Sequence, residues 1–164
     1  MLRDLIFSAV SFSLLIAALT DLKTRTISNS VSVVVIVLSF LAAWDRGGLS
    51  ASIFVFFILA PVFYLLWILR VFGGGDVKLL ISLIPLVPPG RLFSLFFTIA
   101  LVGAILAVVY ITRFMALGLS RRNQINVKYS RDKQLNSVAS RLPELPYGVA
   151  IAVGTIINIT HFIG

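Results

Sequence analysis

The segment Ile53 to Leu69, IFVFFILAPVFYLLWIL, runs for seventeen residues without a single charge. That is too long for a buried strand and close to the roughly twenty residues that carry an α-helix across about 30 Å of hydrocarbon. Comparable apolar runs occupy Leu5 to Thr20, Ser30 to Trp44, Leu92 to Met115 and Pro146 to Ile163, with a shorter one at Val77 to Val87. Composition agrees: 59% of the 164 residues are hydrophobic and only 12% are charged, and the mean hydropathy is +1.06. A soluble domain of this size does not have such values. The expected fold is an all-α polytopic membrane protein of about six transmembrane helices, with residues 1–164 forming one integral membrane domain. The run at Val77 to Val87, about eleven residues long, is expected to cross only partly.

Cysteine is absent, which removes disulfides, thiolate zinc sites and a cysteine nucleophile together. The one histidine, His161, ends the last apolar run and is given no role, and no metal is expected. The first run follows Arg3 in the manner of an export signal, but Thr20 stands where a cleavage site needs a small residue. It reads as a retained first helix.

Six spans make the fourteen Lys and Arg residues lopsided. Eleven (Lys23, Arg25, Arg70, Lys78, Arg113, Arg121, Arg122, Lys128, Arg131, Lys133 and Arg141) fall in the first, third and fifth connections, leaving Arg3, Arg46 and Arg91 for the other side. Basic residues mark the cytoplasmic side, so both chain ends are expected outside and the odd connections inside. Asp21 and Asp76 then share the cytoplasmic face, an agreement that the charge rule does not require. A carboxylate near hydrocarbon costs about 2.5–3.5 kcal/mol, less toward the interface, so the pair calls for a reason.

Each aspartate alone has an ordinary explanation. Asp76 follows Gly73, Gly74 and Gly75 and opens an apolar run, where a helix N-cap belongs. Asp21 ends the first run beside Lys23 and Arg25, as an interfacial ion pair would. Capping leaves the three glycines unexplained: they supply a positive φ, a hinge or a close backbone approach to an extended substrate. A phosphate cradle is excluded, because an acid directly follows the third glycine and the Gly-Lys-Ser/Thr ending is missing. Together the aspartates suggest more. At about 5 Å and an effective dielectric near 20, their repulsion is roughly 3 kcal/mol, or about two pKa units, so one proton is shared. The ionised partner then takes a proton from water while the other donates to a carbonyl oxygen.

The pattern Gly73-x-Gly75-Asp76 with Lys78, preceded by Asp21, Ile27 and Asn29 just after a first membrane helix, resembles the type IV prepilin peptidases, intramembrane aspartic proteases of the GxGD class. Leu145-Pro146-Tyr147-Gly148 is similar to the family's closing motif. The resemblance implies a membrane aspartic endopeptidase with Asp21 and Asp76 as its catalytic pair and no cofactor. Its substrates are then prepilins or pseudopilins, whose short basic leader is cut before a hydrophobic helix at the cytoplasmic face of the inner membrane. The supporting motif is Gly73, Gly75, Lys78, Lys23 and Asn29.

Ser28 stands where the family often has proline. The long members' four-cysteine domain is not seen here, so the chain is similar to the short forms that serve tight-adherence (Flp-type) pili, without an expected methyltransferase. Lys23 and Lys78, each two residues beyond an aspartate, are placed either to keep one carboxylate ionised or to reach lipid headgroups. The basic stretch 118–141 reads as a loop lying on anionic lipid, with a pilus-assembly partner as the other candidate. With only Tyr129 for stacking, it does not read as a nucleic-acid site. The competing reading is a non-enzymatic membrane scaffold or a proton pathway with structural aspartates. A pathway needs acids at mid-bilayer, whereas Asp4, Asp45, Asp132 and Glu144 lie at ends or in loops.

Overall fold

The computed structural model describes residues 1–24, 27–122 and 147–163. Six α-helices occupy them: α1 (Leu2–Thr24), α2 (Asn29–Asp45), α3 (Leu49–Ile68), α4 (Gly74–Leu83), α5 (Leu92–Arg122) and α6 (Tyr147–Ile163), and no strand is present among the described residues. This is the polytopic all-α architecture expected. Three segments, Leu2–Thr24, Leu49–Ile68 and Pro89–Arg113, are long and apolar enough to cross a membrane, while Asn29–Asp45 and Tyr147–Thr160 are shorter apolar helices. The fourth run is shorter still. α4 has ten residues and passes into a 3-10 turn at Ile84–Leu86. The chain divides into two compact units, Met1–Gly103 with Pro146–Gly164, and Ala104–Leu145. Of the second, the described part is residues 104–122, which continue α5, so the basic stretch 118–141 lies outside the described residues from Asn123 onward.

Within the first unit the core is built from stripes. On α1 the buried positions are Ile6, Phe7, Val10, Leu14, Ala17, Ala18 and Asp21, a spacing of three and four that marks one helix face. That face ends on a carboxylate. α1 packs along α2 and α6, and α4 lies against α2, α3 and α6. Val77, Leu79, Leu80, Ser82 and Leu83 of α4 are buried nearly all round, so the shortest helix is the most enclosed. α3 is the reverse: Ser52 is its one buried residue, and it meets its neighbours through partly buried Val55, Phe56, Leu59 and Phe63.

Helix ends follow local chemistry. Ser28 caps α2 by accepting the Ser30 N–H at 3.3 Å, the usual use of a serine at that position. After α2, Gly47 adopts φ +71° and the Gly47 and Gly48 N–H groups bond back to Trp44 and Ala43, the paired arrangement that closes a helix through a left-handed residue. α3 closes the same way, with Arg70 and Val71 bonding back to Trp67 and Leu66. There the left-handed residue is Arg70, at φ 57°, a conformation that costs a side-chain-bearing residue about 1–2 kcal/mol.

α6 reaches α5 through small residues. A Cβ built on Gly154 would lie 2.7 Å from the Ile99 Cα, whereas one on Gly103 would meet the Ala150 Cβ at an ordinary 3.6 Å. In a membrane helix pair such contacts replace the hydrophobic drive of a soluble core. Gly154→Ala is therefore expected to destabilise the protein by about 1–3 kcal/mol, read as a lower melting midpoint in detergent, while Gly103→Ala melts like the wild type.

Candidate active site

Asp21, Ile27, Asn29, Gly73, Gly74, Gly75, Asp76 and Lys78 line one cavity of about 340 Å³. Residues some fifty positions apart meet there because α1 delivers Asp21 at its C-terminal end and α4 delivers Asp76 in its first turn. Of the residues singled out in the sequence, the cavity gathers both aspartates, Gly73, Gly75, Asn29 and Lys78. Lys23 is in the last turn of α1, exposed and not part of the lining.

Asp21 is 7% exposed, and its Oδ2 accepts the Gly148 N–H at 2.9 Å. Gly148 is the second residue of α6, where backbone N–H groups have no partner inside their own helix. Asp21 of α1 thus supplies from another helix the acceptor that α6 needs, and the positive end of α6 faces a carboxylate. The approach depends on the missing side chain: a Cβ on Gly148 would lie 2.9 Å from both the Asp21 Cβ and Oδ2.

Asp76 departs from the N-cap position that its place before an apolar run suggests. Gly73 is the N-cap, without a side-chain cap hydrogen bond, and α4 begins at Gly74, which makes Asp76 its third residue. The helix starts early because the glycines permit contacts that side chains would block. None of the three has a positive φ. A Cβ on Gly73 would fall 2.8 Å from Asp76 Oδ2, on Gly74 3.1 Å from Trp67 Nε1, and on Gly75 3.1 Å from the Ile27 Cβ. Close approach, rather than left-handed backbone, is what the triplet provides.

α4 is too short to cross a bilayer, so Asp76 lies outside the spanning helices. Its half-buried carboxyl is pushed up to about 6, first by burial and then by the charge of Asp21. Lys78, on the exposed side of the cavity, donates from Nζ to Asn29 Oδ1 at 2.9 Å. This bond ties the start of α2 to α4 and holds a cation at the cavity mouth.

Sequence reasoning did not foresee the Gly148 bond; the visible signal was a glycine directly after Pro146-Tyr147, at the start of an apolar helix. Phe72, two residues before Gly74, and Tyr147 form an edge-to-face pair with centroids 6.4 Å apart, which brings the α3–α4 connection to the same helix start.

Comparison with known proteins adds one positive finding. No curated protein and no solved structure matches the chain. The model of the type IV leader peptidase family matches residues 8–108, a stretch that holds both aspartates and the glycine triplet and covers more than half of the chain. The protein belongs to the type IV leader peptidase family.

Proposed function

We propose that the protein is an aspartic endopeptidase of the inner membrane that removes the short basic leader of type IV prepilins or pseudopilins at the cytoplasmic face. In this reading Asp21 and Asp76 are the catalytic pair. The observation that carries it is the convergence of two carboxylates, from the end of α1 and the start of α4, on one glycine-walled cavity. A peptidase that uses two carboxylates needs one of them protonated, and the site biases Asp76 that way by burial and by the charge of Asp21. The ionised partner takes a proton from the attacking water. The protonated partner donates to the scissile carbonyl oxygen, and the proton on the pair is then passed to the leaving amine.

Gly73, Gly74 and Gly75 line the cavity beside the pair, so an extended segment bound there would meet main chain. The charge rule that holds the odd connections of this chain in the cytoplasm also holds a basic leader there, while the hydrophobic helix of the substrate enters the bilayer. The scissile bond is thereby presented at the interface. The motif around Asp21 and Asp76 fits substrates of the Flp-like kind, with pilus-assembly proteins as further partners.

Leader removal from a co-expressed prepilin, read by intact mass at matched membrane levels, tests the pair. Asp21→Asn and Asp76→Asn are each expected to abolish the cleaved mass; cleavage retained by either overturns the two-carboxylate mechanism. Asn at position 21 still offers an oxygen to the Gly148 N–H, so that loss is not a folding effect.

The pH profile carries a sign. A carboxyl raised to about 6 is protonated below that value and ionised above it. Cleavage by purified protein, followed from about pH 8 down to about pH 5, should therefore rise as pH falls through the region near 6. A rate that is flat across this window removes Asp76 as the proton donor.

Gly148→Ala should displace the Asp21 carboxylate by its added Cβ. A misplacement of about 1 Å costs on the order of 100-fold in rate, so kcat should fall by about that factor in protein of wild-type yield.

A further inference from the structure

The far end of α4 is held as specifically as the end that carries Asp76. Arg46, the C-cap of α2, donates from Nη1 to the Leu86 carbonyl at 2.8 Å. Its Nη2 faces the Pro85 carbonyl at 2.8 Å, the Val87 carbonyl at 3.1 Å and the Ser52 hydroxyl at 2.7 Å. Pro85, Leu86 and Val87 are buried, and Ser52 is 1% exposed. The guanidinium Nε is also buried and has no partner among the described residues. Both terminal nitrogens are thus committed to one carbonyl cluster and one hydroxyl.

Those three carbonyls belong to the 3-10 turn and the residue after it, where a helix leaves C=O groups unpaired and carries its negative end. Ten α-helical residues and three in the 3-10 turn span roughly 20 Å, less than the roughly 30 Å of the hydrocarbon. A helix that stops short in this way presents its carbonyls where water is scarce, and leaving them unpaired there is costly. A fork of donors from the neighbouring helix end answers that need. It does so in a fixed geometry, because a planar guanidinium meets consecutive carbonyls in one orientation.

We infer that Arg46 is a positioning residue: it anchors the C-terminal end of α4 to the ends of α2 and α3 and so sets the height and rotation at which α4 presents Asp76 to Asp21. A short enclosed helix is fixed by its two ends, and Asp76 lies ten residues from Leu86 on one nearly rigid rod. A slip at the Arg46 end is transmitted to the carboxylate.

The inference rests on the peptidase reading for its effect on rate, and the experiment separates the two. Cleavage of a purified substrate with a basic leader and one hydrophobic helix is measured with wild type, Arg46→Gln and Arg46→Lys, per folded enzyme. A second readout needs no activity. Because the chain has no cysteine, the pair Ile27→Cys and Gly75→Cys introduces the only thiols, at positions whose Cβ atoms would be 3.1 Å apart, a few tenths of an ångström inside disulfide range, and the small opening this needs is common to every variant compared. Its oxidation rate reports where the start of α4 sits.

Arg46→Gln is expected to lower kcat at least tenfold with KM within twofold, and to slow disulfide formation at least threefold. Arg46→Lys, which keeps a cation but not the fork, is expected between the two and also serves if the Gln variant fails to accumulate. Wild-type cross-linking and wild-type kcat per folded enzyme in these variants overturn the inference. A wild type that cleaves nothing overturns the peptidase reading, and the cross-link alone then decides whether Arg46 anchors α4.

Discussion

A hydrogen bond between residues 127 positions apart, from the Gly148 N–H to Asp21 Oδ2, states the constraint on which this structure rests. Where packing shuts water out, a helix end needs protein partners for its unpaired backbone groups. The start of α6 finds its acceptor on α1, and the end of α4 finds its donors on the residue that closes α2. These are polar bonds between helices at the places where helices stop, and they decide which ends come together. Apolar stripes then fill the space between: Val10, Leu14 and Ala17 on α1, and Leu79, Leu83 and Leu86 along α4 and its 3-10 turn.

The same constraint places the two carboxylates. Asp21 continues the buried stripe of α1, so it turns toward the core and not toward solvent. Asp76 enters through a helix that begins with glycines, because side chains at those positions would strike Asp76 itself, Trp67 or Ile27. Neither position is forced by the carboxylate chemistry. Both follow from packing, which brings the two carboxylates to one cavity. The stretch that matches the type IV leader peptidase family, residues 8–108, contains both carboxylates.

Much of this could be read in the sequence. The apolar runs gave the helices, including the short one after the triplet, and Asp21 and Asp76 stood out against a background almost free of acids. Asn29 and Lys78 came from the motif, and the structure joins them by a hydrogen bond. Other features were hidden for physical reasons. An apolar run marks which residues avoid water, not where the first hydrogen-bonded turn begins, so Asp76 looked like a cap although α4 starts at Gly74. Gly148 acts through its backbone N–H and through the absence of a Cβ, neither of which leaves a side-chain signal. Arg46 counted only as one charge on the sparsely basic side, since its partners are main-chain carbonyls some forty residues away. Lys23 has the right offset from Asp21, but its turn of α1 points it out of the cavity.

α3 stands apart from the other helices of the first unit. Its one buried residue, Ser52, is near its start and bonds to Arg46, and near its finish Trp67 rests against Gly74. Along the stretch between them it touches its neighbours through a single partly buried stripe, with Phe56 against Phe40 and Phe63 against Phe96. A helix held at both ends and only lightly along its flank behaves like a slat on two pins. It bends sideways at lower cost than an enclosed neighbour such as α4, because fewer side-chain contacts have to move with it.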